Sequence, residues 1–478
     1  MKAINKDILR LAIPSILANI TIPLVGIVDT AIVGHLSDAS AIGGIAIGTM
    51  LFDLLYWNFG FLRIGTSGLT AQAYGKGQSD KVPSDKGPST KVPDECRKIL
   101  TQSVSIALIA ALVIWAIQWV FVTAVLAIVP CSAEVAAVAR KYFYVRIWAA
   151  PATLCLFTFK GWFIGMQDTK SPMAIDILVN VVNMAASYAL AVYTPLGVVG
   201  VAWGTLIAQY SGLLLALIIL FARYFGKSLF RNFEEWRAAM QWKAIKRMMS
   251  LNGNLFIRSL CFMVVYVGYT SLASLYGDTE LAVSSIMMKL FMFFSFFVDG
   301  FAYAGEALVG KAWGKVPSDQ VLSDQVPSDQ VPSDQVPSDQ VPTTKDNGVN
   351  AVVRALFLWA LAVGAIFTAI YGIWGKGSIA LLTSDAAVLE ASTKYIGWLI
   401  AMPIISTLAF MWDGVYVGAT AGVQIRNSMI WAAAGFVLGY ALTYRFVGAQ
   451  ALYIGYFAHL IARATYLTIE WRKVKIER

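Results

Sequence analysis

The chain has little charge, little cysteine and almost no histidine. Only 14% of its 478 residues are Asp, Glu, Lys or Arg, whereas 58% are apolar. A soluble protein of this length needs far more charge to cover its surface. The four cysteines are scattered without CxxC spacing, which excludes a disulfide framework and gives no structural metal site: Cys96, Cys131, Cys155 and Cys261.

The two histidines, His35 and His459, provide few side chains for acid–base catalysis. HExxH and paired His/Asp motifs are missing from the sequence. The net charge of +9 is not gathered on one basic face, as nucleic-acid binding would require. We therefore expect no enzyme activity, no metal or organic cofactor and no nucleic-acid partner.

Long apolar runs fill most of the chain, each of about 20 residues or more, the length that crosses a bilayer. The alternating strands of outer-membrane barrels are absent, and the first run is too long for a signal-peptide core. The pattern predicts an all-α polytopic membrane protein with twelve transmembrane helices, near 8–34, 41–72, 98–129, 135–165, 172–193, 197–224, 245–275, 280–310, 351–381, 386–418, 425–444 and 448–470.

Basic residues are concentrated on one side of this arrangement, in segments 76–98, 223–247 and 472–478. Because loops rich in Lys and Arg stay in the cytoplasm, we expect both termini to be cytoplasmic in a bacterial inner membrane. We therefore expect membrane lipid to be a partner of the protein.

The sequence contains an internal repeat of two similar halves. A shift of 240 residues aligns Thr30 with Thr270 and Asp38 with Asp278, and a shift of 253 aligns Gly161 with Gly414. We expect two pseudo-symmetric six-helix bundles, residues 1–224 and 245–478, joined by an amphipathic cytoplasmic connector, 225–244. Transporters built from such repeats bind substrate near the midplane and rock one half against the other.

Two low-complexity inserts interrupt the bundles after their second helices, at about 76–96 and at 316–345, the latter built from VPSDQ repeats. Pro, Ser and Asp with almost no aromatics do not form a packed core. We expect solvated cytoplasmic loops without a role in transport; the rival interpretation is a segment that docks a partner.

Asp29 is the only charged residue between Leu11 and Val33. An acid at membrane depth costs roughly 2.5–3.5 kcal/mol on insertion scales, so it is a functional-site hypothesis by default. The alternative is a helix-end residue in the head-group layer. Desolvation makes a carboxylate take up a proton more readily, so we predict that Asp29 couples transport to H⁺.

Other ionisable residues differ between the repeats: Asp29 aligns with Tyr269, Arg63 with Tyr303 and Lys160 with Asp413. We expect Lys160 and Asp413 to face each other across the central cleft.

Three acids of the second half lie in apolar helices, Asp299, Glu306 and Asp413. They either pair with a basic group, such as Lys289 or Lys311, or form a second proton or substrate-cation site. Arg63 and Lys160 are the candidate basic residues of the cavity. Four aromatic residues are candidates for stacking on flat cationic substrates: Tyr56, Trp57, Tyr266 and Tyr269.

Four segments together resemble the multidrug and toxic compound extrusion (MATE) family, in particular its DinF-like branch: IPSILANITIPLVGIVDTAIVGHLSDASAIGGIAIG, FGFLRIGTSGLTAQAYGKG, GMQDTKSPM and DGFAYAGEALVGKAWGK. The likeness covers nearly the whole chain apart from the inserts. It implies a V-shaped twelve-helix antiporter that exports organic cations and other amphipathic compounds in exchange for H⁺ or Na⁺.

The resemblance also implies a cation site in the first half. The family's first-helix Asp matches Asp29, its fifth-helix Asn matches Asn183, and its sixth-helix Thr matches Thr205. The fifth-helix Asp of many members is Ser187 here, so one of two carboxylates is lost. Since Na⁺ prefers several hard oxygen ligands, a single acid favours H⁺, although Na⁺ at Asp29, Asn183 and Thr205 stays open.

Three other classes compete with a proton-coupled exporter. A lipid-linked precursor flippase needs a cationic cavity for pyrophosphate, and the chain has few buried Lys or Arg. A membrane enzyme lacks the necessary motifs, and a channel predicts a repeated polar filter rather than an asymmetric acid. We expect a monomer that acts on small molecules.

Overall fold

The computed structural model describes residues 2–36, 39–79, 92–129, 131–225, 237, 240–315 and 344–476. Most of the predicted connector and of both inserts lies outside these residues. Some side chains within the helices also lie outside the description, namely those of 27, 29–31, 33–36, 39–42, 79, 242–244, 344–347 and 475–476. Position 29 therefore belongs to a described helix, while the role of the Asp29 carboxyl group stays a prediction.

The described residues form twelve helical spans and no strand, which confirms the predicted all-α fold. In chain order they are α1 (Lys2–Leu36), α2a (Ala39–Trp57) with α2b (Phe61–Ser79), α3 (Asp94–Ile128), α4a (Ala133–Arg146) with α4b (Ala150–Gly165), α5 (Lys170–Val192), α6 (Val198–Ile219), α7 (Trp242–Ser274), α8 (Asp278–Gly314), α9 (Thr344–Ala380), α10a (Ala386–Ser392) with α10b (Ile396–Gly418), α11 (Gly422–Val447) and α12 (Gln450–Ile476).

Eleven of these spans, counted over the described residues, are long and apolar enough to cross a membrane. The twelfth, α12, has 27 residues and is long enough, but polar residues such as His459 and Arg463 lower its mean hydropathy. An even number of spans places both chain ends on one side of the bundle, the terminus side; the opposite side is the far side.

Three spans that the sequence predicts as continuous are each broken by a 3₁₀ turn, at Asn58–Gly60, Ile147–Ala149 and Thr393–Tyr395. Pro151 accounts for the second break, because its ring clashes with the carbonyl four residues earlier and it donates no hydrogen bond. In the first turn, Asn58 and Gly60 are weak helix formers.

The internal repeat is visible in the backbone. A Cβ atom built on Gly161 of α4b would lie 2.2 Å from a carbonyl oxygen of α2b, and one on Gly414 of α10b would lie 2.4 Å from a carbonyl oxygen of α8. The residues that follow these two helices, Gln167 and Thr420, share a positive φ, 66° and 54°. The fold thus contains the two pseudo-symmetric bundles that the repeat predicts.

Each bundle has its own apolar core, and α1 contributes to both. Near the start of α1, Ile8, Leu11 and Ala12 are buried in the core formed mainly by α7–α12. Towards its far end, Ile32 is buried in the core formed by α2–α6. The helix that carries position 29 therefore crosses from one bundle to the other.

The two bundles touch backbone to backbone on the terminus side. A Cβ on Gly75 of α2b would lie 2.1 Å from the Lys311 carbonyl oxygen, and one on Gly314 of α8 would lie 2.0 Å from the Gln72 carbonyl oxygen. Since real Cβ atoms never approach so closely, only glycine permits this contact. The bundles are closed against each other here.

The substitution Gly75→Ala tests this contact, because the added methyl group must push α2b and α8 apart. We expect a lower thermal unfolding temperature of the purified protein in detergent. Gly253→Ala in α7 is the matched control, since nothing lies within 4 Å of its Cβ position. Because Ala is favoured over Gly in a helix by about 1 kcal/mol, the control should be neutral or stabilising. Equal stability of the two variants would contradict the close contact.

Candidate coupling and substrate sites

A buried polar pair joins α5 and α6 in the first bundle. Asn183 Nδ2 donates a hydrogen bond to Thr205 Oγ1 at 3.0 Å, and Thr205 Oγ1 donates to the Val201 carbonyl oxygen at 3.2 Å. Each of the two side chains is 5% exposed. Asn183 Oδ1 has no hydrogen-bond partner among the described residues. A buried acceptor without a partner is costly, so this atom is suited to a cation or a proton donor.

Ser187 lies one turn beyond Asn183 and is fully buried. Its hydroxyl donates to the Val201 carbonyl oxygen at 3.4 Å, and a Cβ on Gly204 would lie 2.4 Å from its Oγ atom. Its small side chain thus serves the tight packing of α5 on α6.

The helix that carries position 29 is bound to both bundles by side-chain hydrogen bonds. Asn180 Nδ2 of α5 donates to Thr21 Oγ1 of α1 at 2.5 Å. On the other side, Asn19 Nδ2 of α1 donates to the Phe296 carbonyl oxygen of α8 at 3.3 Å. A shift of α1 would therefore strain or break its hydrogen bonds to α5, which carries Asn183, and to α8.

Arg63 of α2b and Glu306 of α8 form an ion pair between the bundles. The guanidinium Nη1 lies 3.1 Å from Oε2 and Nη2 lies 3.4 Å from Oε1, a two-pronged geometry. The Arg63 Cζ atom lies 4.3 Å from the centroid of the Tyr303 ring. Arg63 and Tyr303 are partners in the sequence repeat, so the two repeats meet here.

Asp413 of α10b is shared by two arginines of the second bundle. Arg258 Nη2 of α7 lies 2.6 Å from Asp413 Oδ2, and Arg463 of α12 pairs with the same oxygen. Asp299 of α8 is half-buried in the neighbourhood of Arg63, Arg258 and Arg463. Glu306 and Asp413 are thus paired with arginines, whereas the described residues show no ion pair for Asp299. Lys289 and Lys311, the partners suggested by the sequence, do not fill this role.

Lys160 of α4b pairs with Asp176 of α5, inside the first bundle. The expectation that Lys160 faces Asp413 is therefore wrong, because each of the two residues binds a partner in its own bundle. Lys160 and Asp413 occupy equivalent positions in the repeat, but each side chain turns to the nearest residue of opposite charge.

The candidate aromatic residues occupy different places. Trp57 of α2a lies with its ring centroid 5.3 Å from that of Tyr266 in α7, so these two meet between the bundles. Tyr56 stacks on Phe52 within α2a at 5.5 Å. Tyr269 contacts the Tyr456 ring at 5.7 Å in the second core.

A cavity of about 1550 Å³ lies between α1 and helices α7–α9 in the far half of the bundle. Its lining includes Tyr266 and Tyr269, whereas Tyr56 and Trp57 are not among the described lining residues. The volume exceeds the 300–1,000 Å³ of typical small-molecule sites. Its size and apolar wall suit an amphipathic ligand.

Three functional-site candidates escaped the sequence reading. Arg463 is 1% exposed in α12, and Asp176 is the partner of Lys160. Arg146 of α4a donates to the Tyr142 hydroxyl at 2.8 Å and lies 4.6 Å from the centroid of the Phe52 ring. The signal that singled out Asp29, a charge within an apolar run, would have found Arg463 and Asp176 as well.

Comparison with known proteins decides the family. The model of the family described as MatE matches residues 14–84 and 90–189. DNA damage-inducible protein F of Escherichia coli K12 is 31% identical over 98% of this chain and 92% of its own length. The chain belongs to the MATE family.

Solved MATE structures share the fold at lower identity. A MATE transporter crystallised with MaL6 has a TM-score of 0.80 at 14% identity, covering 99% of this chain and 97% of its own. VcmN, a MATE transporter of Vibrio cholerae solved in a mutant form, has a TM-score of 0.80 at 13% identity, covering 100% and 98%. The resemblance noted from the sequence is confirmed: the protein is a multi-pass membrane transporter of the multidrug and toxin extrusion type and not an enzyme.

Arg63→Gln tests the ion pair between the bundles, because it leaves Glu306 buried without its cation. Breaking a buried pair in this way costs about 3–5 kcal/mol, so the thermal unfolding temperature in detergent should fall clearly. The double variant Arg63→Gln/Glu306→Gln should be less destabilised, since it leaves no unpaired charge.

Lys473→Gln is the control, because it removes one partner of the exposed Lys473–Glu470 pair. Such surface pairs contribute about 0–1 kcal/mol. If Arg63→Gln lowered the thermal unfolding temperature no more than Lys473→Gln does, the ion pair would not hold the bundles together.

Proposed function

We propose that this transporter exports organic cations and other amphipathic compounds across the bacterial inner membrane in exchange for protons, by alternating access, with Asp29 as the residue that carries the proton. The support for this assignment is the buried Asn183–Thr205 pair, whose Asn183 Oδ1 has no partner among the described residues. Asn183 lies on α5. The helix α1, which carries position 29, is hydrogen-bonded to α5 through Thr21 and Asn180.

Protonation of one carboxyl group changes the local charge of α1 and thereby the balance between two packings of that helix. Pro14 and Pro23 interrupt its hydrogen-bond ladder, which makes bending of α1 easier. A pH difference supplies about 1.4 kcal/mol per unit, and the membrane potential supplies about 2.3 kcal/mol per charge per 100 mV. One or two protons therefore drive a substantial uphill gradient of substrate.

With both termini in the cytoplasm, as the basic loops indicate, the terminus side is the cytoplasmic side. The glycine contacts then close the cytoplasmic side while the large cavity lies in the outer half. This arrangement is the outward-facing state of an alternating-access cycle.

Sodium coupling is the second candidate, because Asn183 Oδ1 and Thr205 Oγ1 are oxygen ligands of the kind Na⁺ accepts. The second carboxylate of many family members is Ser187 here, and its hydroxyl is engaged by the backbone of α6. A lipid-linked precursor flippase is disfavoured, since Arg63, Arg258 and Arg463 are each paired with an acid and a single lysine, Lys289, is the cation among the described residues that line the cavity.

Asp29→Asn is the test of the coupling role. In energised membrane vesicles, we expect ethidium efflux driven by a proton gradient to fall to the rate of vesicles without the transporter, because the variant carries no exchangeable proton. Glu134→Gln is the control, an exposed acid at the start of α4a. Efflux that follows only a sodium gradient would overturn the assignment of the ion, and full proton-driven efflux by Asp29→Asn would overturn the role of Asp29.

A further inference from the structure

The wall of the far-side cavity is mostly apolar and is built from rings in mutual contact. The Phe297 and Phe367 ring centroids lie 4.9 Å apart, and those of Phe293 and Phe297 lie 5.5 Å apart. The Tyr371 hydroxyl donates a hydrogen bond to the Leu290 carbonyl oxygen at 2.9 Å, and Tyr371 also lines the cavity. The wall is therefore pre-formed rather than assembled by the ligand.

Lys289 is the only charged side chain among the described residues that line this cavity. It is exposed, and the described residues show no ion pair for it. It lies eleven residues after Asp278, the first residue of α8, so its Cα is about 16 Å along the helix from the far end. The helix α8 is about 55 Å long and the hydrocarbon core about 30 Å thick, so a helix centred in the bilayer places this Cα just inside the core.

Three other cations of the apolar helices, Arg63, Lys160 and Arg258, have acid partners. Arg146 instead donates to the Tyr142 hydroxyl. A cation in apolar surroundings is costly and gains most from an anion at hydrogen-bond distance. No carboxylate lines the cavity among the described residues. The one charge among the described residues of the wall thus favours an anion.

Ser285 also lines the cavity and precedes Lys289 by four residues in α8. Side chains at this spacing lie on the same face of a helix, one turn apart. A hydroxyl and an ammonium group side by side can both donate to one acidic head group.

We propose that the far-side cavity is a binding site for small amphipathic anions, in which Lys289 binds the carboxylate or sulfonate and the aromatic wall holds the apolar body. This inference rests on the proposed export function and adds anionic amphiphiles to its substrates. The occupant is a soluble amphiphile rather than a bilayer lipid, since one lysine and one serine match a single small head group.

The test uses two fluorescent probes that differ only by an acidic group, anilinonaphthalene sulfonate and the uncharged phenylnaphthylamine. Binding is measured with the full chain in phosphatidylcholine nanodiscs, after subtraction of empty nanodiscs and without any ion gradient. We expect Lys289→Gln to weaken sulfonate binding by about tenfold or more, because a charge-assisted hydrogen bond is lost. Binding of the uncharged probe should not change.

Lys289→Arg should retain the affinity for the sulfonate, and Lys289→Glu should lose it entirely. Lys394→Gln is the matched control, since it removes an exposed far-side lysine that does not line the cavity. Equal sulfonate affinity of wild type and Lys289→Gln would overturn the proposal and would mean that the ammonium group reaches the head-group layer instead.

Phosphatidylglycerol nanodiscs distinguish the two sources of an anionic head group. If anionic lipid abolishes sulfonate binding, the site belongs to lipid and the proposal fails. Because the assay measures binding at equilibrium, its result is independent of ethidium efflux. A negative efflux test would remove the export function and leave the anion site in place.

Discussion

Charges at membrane depth must find partners, and their pairing organises this molecule. The pair Arg63–Glu306 joins α2b to α8, and Asp413 joins α10b to α7 and α12 through two arginines. An unpaired partner would cost several kcal/mol, so each pair fixes which helices stay together. Only the first of these pairs links the two bundles. Together with the glycine contacts of α2b and α8, it holds the terminus side closed.

The first helix is the element through which ion binding and substrate access could be coupled. It contributes to both apolar cores and is hydrogen-bonded to α5 and to α8. It also borders the far-side cavity through Ile20, Pro23 and Gly26. The helix α1 is therefore in direct contact with α5, which carries Asn183, with the far-side cavity and with α8 of the other bundle.

Hydropathy and the internal repeat predict most of the fold, because membrane spans and duplicated glycines are encoded locally. The breaks in α2, α4 and α10 escape this approach, since a 3₁₀ turn leaves the hydropathy unchanged. Ion pairing was predicted poorly: the partners Arg63 and Glu306 lie 243 residues apart, and Arg258 and Asp413 lie 155 apart. Proximity in space between such distant residues follows from packing, which the repeat alone does not specify.

The proposed coupling of proton binding at Asp29 to alternating access requires the closed contact between α2b and α8 to open. A distance across this contact tests that requirement most directly. Spin labels at the exposed positions Lys76 and Lys315, at the terminus-side ends of these helices, report the gap by pulsed electron resonance in a cysteine-free background. Lowering the pH should raise the fraction of a longer distance in the otherwise unmodified protein and leave Asp29→Asn unchanged. A distance that does not respond to pH, or that responds equally in Asp29→Asn, would contradict the account.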